Sequence, residues 1–174
     1  MKLLKRLFVL FAVITITACS SDDDSGSGTI QYDLNNTNLS SGAFAFSFYA
    51  LNGTVTNLVD GSVITVSSVG EDFNTTFTFL EDGTYLINGS YVEVTTVTDA
   101  DGGIVTSTEI IESNSETGTY AVNGMQLVLD AGTEDEETLT VTLFNANEIR
   151  LTAEEISSEE DYDYALMLEF RMTR

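Results

Sequence analysis

Phe77-Thr78-Phe79-Leu80-Glu81-Asp82-Gly83-Thr84-Tyr85-Leu86-Ile87 decides the fold. Large apolar residues recur at every second position on either side of an Asp-Gly turn, the period of a half-buried strand rather than of a helix. A two-residue Asp-Gly loop would scatter the aromatics over both faces. A three-residue loop with Gly83 in the left-handed region sets Phe77, Phe79, Tyr85 and Ile87 on one side. Burial selects the three-residue register, because a slip of one residue turns every side chain to the opposite face.

The same period extends outward from this hairpin. In Thr138-Leu139-Thr140-Val141-Thr142-Leu143 every second residue is apolar and the rest are Thr. Leu166, Leu168, Phe170 and Met172 repeat the pattern near the C-terminus, with Glu169 and Arg171 on the other face. Asn123-Gly124 reads as a type I′ turn that pairs Val122 with Met125 and Tyr120 with Leu127, so that these four and Leu129 share one face. Residues 91–98 and 104–112 form a longer, Thr-rich hairpin around 99–103, placed at an edge or projecting from the body. The one helical expectation is a single turn over residues 153–158. Eight to ten strands joined by short loops give an all-β fold, an antiparallel up-and-down meander. A sheet of that size must curl, closing into a β-barrel or, alternatively, splitting into a β-sandwich.

The N-terminus carries an address. Lys2, Lys5 and Arg6 precede an apolar run from Leu7 to Ile16, too short to span a bilayer, which needs roughly twenty residues. Ile16-Thr17-Ala18-Cys19 resembles a bacterial lipobox. The resemblance implies removal of residues 1–18 and acylation of Cys19, which ties the chain to a membrane through covalent lipid. Ser20, Ser21, Asp22, Asp23 and Asp24 follow and resemble the export signal of surface lipoproteins in the Bacteroidota, implying the outer face of the outer membrane. Residues 25–41 are rich in Ser, Gly, Asn and Thr and read as a flexible tether. The expected division is therefore 1–18 signal peptide, 19–41 anchor, export signal and tether, and 42–174 folded domain.

Two stretches carry a family resemblance. Phe77-Thr-Phe-Leu-Glu-Asp-Gly-Thr-Tyr85 and Thr117-Gly118-Thr119-Tyr120-Ala-Val-Asn-Gly-Met-Gln-Leu-Val-Leu129 are similar to hairpins of the lipocalin-like lipoproteins of Bacteroidota, and the resemblance runs roughly from Phe73 to Thr173. Where such domains often carry Gly-x-Trp, this chain has Gly42-Ala43-Phe44. The resemblance implies a small up-and-down barrel.

Composition limits the chemistry. The chain has no His, no Pro, no Trp and a single Cys. Ser–His–Asp and Cys–His catalysis are excluded, as are an internal disulfide and a His- or Cys-ligated metal site. No catalytic residue and no cofactor are expected. Once residues 1–18 leave, 28 acids face only Arg150, Arg171 and Arg174, a net charge of −25. Such a chain repels nucleic acid and anionic surfaces. Asp99-Ala100-Asp101-Gly102 faintly resembles a calcium loop, but the twelfth position is Ile110 rather than Glu, so no metal site is expected. The acids at 134–137 and 154–163 read as solvated faces.

Phe44, Phe46 and Phe48 alternate on one strand, and with Phe77, Phe79 and Tyr85 they are the candidate lining of an apolar interior. An eight-stranded barrel is just wide enough either to fill with side chains or to hold one small ligand. Two functions follow. One is non-catalytic binding of a small apolar or amphipathic molecule inside the barrel. The other is a structural or adhesive envelope accessory with a solid core, working through its outer face. A connected interior cavity of about 300 Å³ or more, typical of ligand sites, separates them.

Overall fold

The computed structural model describes residues 32–159 and 161–174. One helical turn, α1 (Asn36–Leu39), precedes eight strands: β1 (Phe44–Asn57), β2 (Val63–Phe79), β3 (Thr84–Thr98), β4 (Ile104–Asn123), β5 (Gln126–Leu129), β6 (Glu137–Phe144), β7 (Glu148–Glu159) and β8 (Tyr162–Thr173). Each strand is antiparallel to the next, and β8 returns to pair with β1. The meander therefore closes as a barrel and does not split into a sandwich.

The deciding hairpin has the register its aromatics require. Phe79 faces Tyr85 and Phe77 faces Ile87, and all four are buried. The Leu80 N–H donates to the Thr84 carbonyl (2.8 Å), and Gly83 closes the loop at φ +86°, where a Cβ would be penalised. Asp82 Oδ1 accepts from the Thr84 N–H (3.0 Å) and hydroxyl (2.6 Å). The 91–98 and 104–112 hairpin also forms, with Thr98 opposite Ile104. Asp99 Oδ1 is occupied there by the Asp101 and Gly103 N–H groups (3.0 and 2.6 Å), so it serves the turn.

Three expectations are corrected. The Asn123-Gly124 turn lies one residue further on: Asn123 pairs with Gln126, Val122 with Leu127 and Tyr120 with Leu129. The central residues are Gly124 and Met125, with positive φ at Gly124 (+60°) but not at Met125, as in a type II′ turn. Neighbours fix this register. Asp130 N–H donates to the Thr119 carbonyl (2.7 Å), and Val141 N–H to the Met125 carbonyl (2.7 Å). Met125 leaves the inner face and is 49 % exposed. Secondly, residues 153–158 are strand, paired with β8 from Ala153–Leu168 to Ser158–Asp163. Thirdly, the stretch read as tether ends in packed structure. Asn35 caps α1 by accepting from the Asn38 N–H (2.8 Å), and Leu39 is fully buried in the core. The Arg174 guanidinium donates to the Asn38 carbonyl (2.8 Å) and to Ser41 Oγ, while lying 4.0 Å from the Phe44 ring centroid. α1 thus packs against the barrel beside the 81–83 loop, where Thr37 Oγ1 donates to Glu81 Oε1 (3.3 Å).

Away from α1 the wall changes. β5 pairs with β4 only over residues 120–123, and β6 with β7 only over 140–144. Six strands, in the order β4-β3-β2-β1-β8-β7, continue past the short β5 and β6 as a curled sheet.

Candidate functional site

The barrel interior holds a cavity of about 50 Å³. Its lining is almost wholly apolar, with Phe46 from β1, Phe77 and Phe79 from β2, Leu139 from β6 and Leu151 from β7 among its walls. The volume is well below the ~300–1,000 Å³ of drug-sized ligand sites. The interior is largely packed, and the space that remains fits a few heavy atoms.

The expected lining residues divide. Phe46, Phe77 and Phe79 reach the cavity. Phe44 is fully buried but stacks edge-on against Phe79 (6.1 Å) beneath Arg174. Tyr85 is buried behind Phe77 (5.2 Å between ring centroids) and donates its hydroxyl to Asp130 Oδ2 (2.8 Å). Phe48 is a correction. A register shift in the β1–β8 pairing between Phe46 and Phe48 breaks the alternation. Phe48 turns outward, where the Arg171 guanidinium lies 4.4 Å from its ring centroid, and Tyr49 takes the inner position. Cys19, Ser20, Ser21, Asp22, Asp23 and Asp24 lie outside the described residues.

The decisive residues of the cavity are polar and were absent from the expected set. Glu137, the first residue of β6, is 8 % exposed, and Thr75 on β2 is 6 % exposed. Both line the cavity. Glu137 Oε1 and Thr75 Oγ1 have no hydrogen-bond partner among the described residues. In the sequence the run of acids at 134–137 reads as a solvated face and hides Glu137. Extending the alternation of Leu139 and Val141 back by two positions would have placed it on the inner face. Orphaned buried polar groups are rare and costly, about 1–3 kcal/mol each. Burial, and then the neighbouring Asp130, push the Glu137 carboxyl up to about 8. At pH 7 it holds its proton and can donate.

A second group of buried ionisable side chains holds the walls. Tyr49 donates to Glu93 Oε1 (3.2 Å) and packs against Tyr91 (5.6 Å). Burial raises both phenols well above the ordinary tyrosine range, with Glu93 adding to it. Their neutral forms are favoured only in the folded chain. Their contribution to stability is therefore intact below pH 10, and falls above it as the unfolded tyrosines ionise. The two together should cost about 2–3 kcal/mol between pH 10 and 11. Thermal melts across that range should show Tm falling steeply, and the Tyr49→Phe, Tyr91→Phe double variant should flatten the fall.

Among the described residues, no group of three or more Asp, Glu, Cys or His is placed to hold a metal ion. No protein-family model matches the chain, and no curated protein matches it. Among solved structures, the genetically encoded photosensitizer KillerRed in native form is similar at 12 % identity and a TM-score of 0.15, over 71 % of this chain and 58 % of that one. The chain thus spans about 58 % of that protein's length, and a likeness this slight carries no argument. The barrel assignment stands on the strand pairing alone.

Proposed function

We propose that this chain is a lipid-anchored lipoprotein, held on the outer face of a Bacteroidota outer membrane, whose barrel binds a small apolar or amphipathic molecule without catalysis. The lipobox-like Ile16–Cys19 stretch and the acids at 22–24 support the anchor and the address. One observation carries the binding reading: an apolar cavity lined by two buried side chains, Glu137 and Thr75, each with an oxygen that has no partner among the described residues. A solid core would gain by replacing both with aliphatic side chains. With about 50 Å³ available, the barrel takes one end of its ligand or a very small molecule whole.

The second reading, an envelope accessory acting through its outer face, is favoured by that small volume. It also draws on a row of threonines across three strands, where Thr54 pairs with Thr65 and Thr65 with Thr98. Native mass spectrometry of the protein purified from its own envelope separates the two. Ligand binding is expected to leave a reproducible small added mass beyond the acylated polypeptide, lost on unfolding. The acylated polypeptide alone would favour the accessory.

A further inference from the structure

We infer that Glu137 and Thr75 form the recognition site for the polar end of the ligand, and that this end is an uncharged oxygen, a hydroxyl or a carbonyl, on a small apolar molecule. The inference rests on the reading of the barrel interior as the binding site. β2 and β6 are four strands apart around an eight-stranded barrel, so Thr75 and Glu137 stand on opposite walls and line one cavity. Each offers a hydrogen bond that the described residues leave unmade. Apart from the Tyr91 phenol and the Met172 thioether, every other wall is aliphatic or aromatic, which suits the apolar remainder of such a molecule.

Charge excludes the alternatives. An anionic end would find no cation. Arg150 is paired with Glu148 and Arg171 with Glu169, and Arg174 is spent on α1. None of the three lines the cavity. The titratable groups on this side of the barrel are acids and phenols: Asp130 after β5 acts on Glu137, Tyr85 on β3 feels both Glu137 and Glu116 of β4, Tyr91 lines the same cavity, and Glu155 is buried on β7, the strand next to β6. An ammonium end would have to shed its water beside a carboxyl that still holds its proton, and burying an ion is far costlier than burying a neutral oxygen. A carboxylic acid kept protonated at neutral pH by an apolar site is instead a good donor to such an oxygen. Glu137 is held in that state by burial.

The test uses the full chain carrying Cys19→Ala, so that no attached acyl chain can enter the barrel. 1-Butanol, butanone, butylamine, butyrate and pentane are titrated at pH 6.5 while the methyl resonances of Leu127, Leu139 and Leu151 are followed. Butanol and butanone are expected to bind at least tenfold more tightly than butylamine, butyrate or pentane. Glu137→Leu should bring them level with pentane. Glu137→Gln, which still donates, should stay within about threefold of the parent, and Thr75→Val should lose several-fold. Raising the pH to 9.5 should weaken butanone binding in the parent chain but not in Glu137→Gln. Should Glu137→Leu fail to fold, the Gln and Val variants and the pH series decide the matter. Equal binding of all five probes, or tightest binding of the amine, overturns this inference and leaves the interior as a binding site. Binding of none, as for a cavity that admits water only, overturns the binding reading as well.

Discussion

Replacing Gly118 with Ala is expected to cost the barrel about 3–5 kcal/mol, although alanine ordinarily stabilises a strand relative to glycine by roughly 0.5–1 kcal/mol. A Cβ at this position would lie 2.3 Å from Asp130 Oδ1 and 2.5 Å from both Cζ and the hydroxyl of Tyr85. Neither neighbour is free to yield. Tyr85 is 3 % exposed, packs on Phe77 and donates to Asp130 Oδ2 at 2.8 Å. The other Asp130 oxygen accepts from the Thr119 N–H at 2.9 Å. Admitting a methyl group means overpacking, at about 1–3 kcal/mol, together with loss of the half-buried Tyr85–Asp130 hydrogen bond, at about 1.5–3 kcal/mol for a carboxylate acceptor. Urea unfolding should show a lower midpoint at unchanged slope. Tyr85→Phe added to Gly118→Ala should recover part of the loss, because it removes one of the two phenol atoms that would lie 2.5 Å from the new Cβ. An unchanged midpoint in the single variant would show that the Tyr85–Asp130 contact is not what holds Gly118.

The second large effect is a pH dependence. In the unfolded chain the Glu137 carboxyl ionises at its ordinary value of 4.5, whereas in the barrel it holds its proton up to about 8. Between those values, unfolding releases a proton. The contribution of Glu137 to stability is therefore greatest below pH 4.5, falls as pH rises, and levels off above pH 8. The integrated loss is on the order of 4–5 kcal/mol. Glu137→Leu removes this dependence and the orphaned oxygen with it. Urea unfolding of both chains at pH 5, 6.5 and 8 should show the leucine variant more stable throughout, with a gap that widens by about 1.4 kcal/mol per pH unit. A stabilising substitution at a residue facing the cavity is the signature expected of a group retained for function rather than for folding. A constant gap would mean that Glu137 is ionised at neutral pH.

Most of the fold is legible in the sequence because it is written in local alternation. Phe77 to Ile87 fixes its own register, since only one loop length buries all four large side chains. Misreadings arise where a neighbouring strand decides. Nothing in Phe44-Ala45-Phe46-Ser47-Phe48 signals a shift, which comes from pairing Phe46 with Met172 and Phe48 with Arg171. Residues 153–158 show no apolar alternation because Glu155 and Ser157 are the buried members and Ile156 is 66 % exposed. Leu39 sits in a polar stretch, so that only its burial under the barrel marks the stretch as folded. Three of the six aromatics expected to line the interior, Phe46, Phe77 and Phe79, do line the cavity. Its polar members were hidden, Glu137 by a run of acids and Thr75 by the abundance of threonine.

The most direct measurement is a ¹³C NMR titration of the Glu137 side-chain carboxyl in the folded chain. The expected midpoint is near pH 8, moving higher when 1-butanol is bound, because a neutral acceptor stabilises the protonated acid. A midpoint near 4.5, unmoved by butanol, would place the carboxyl in water and contradict the account of the barrel as a binding site.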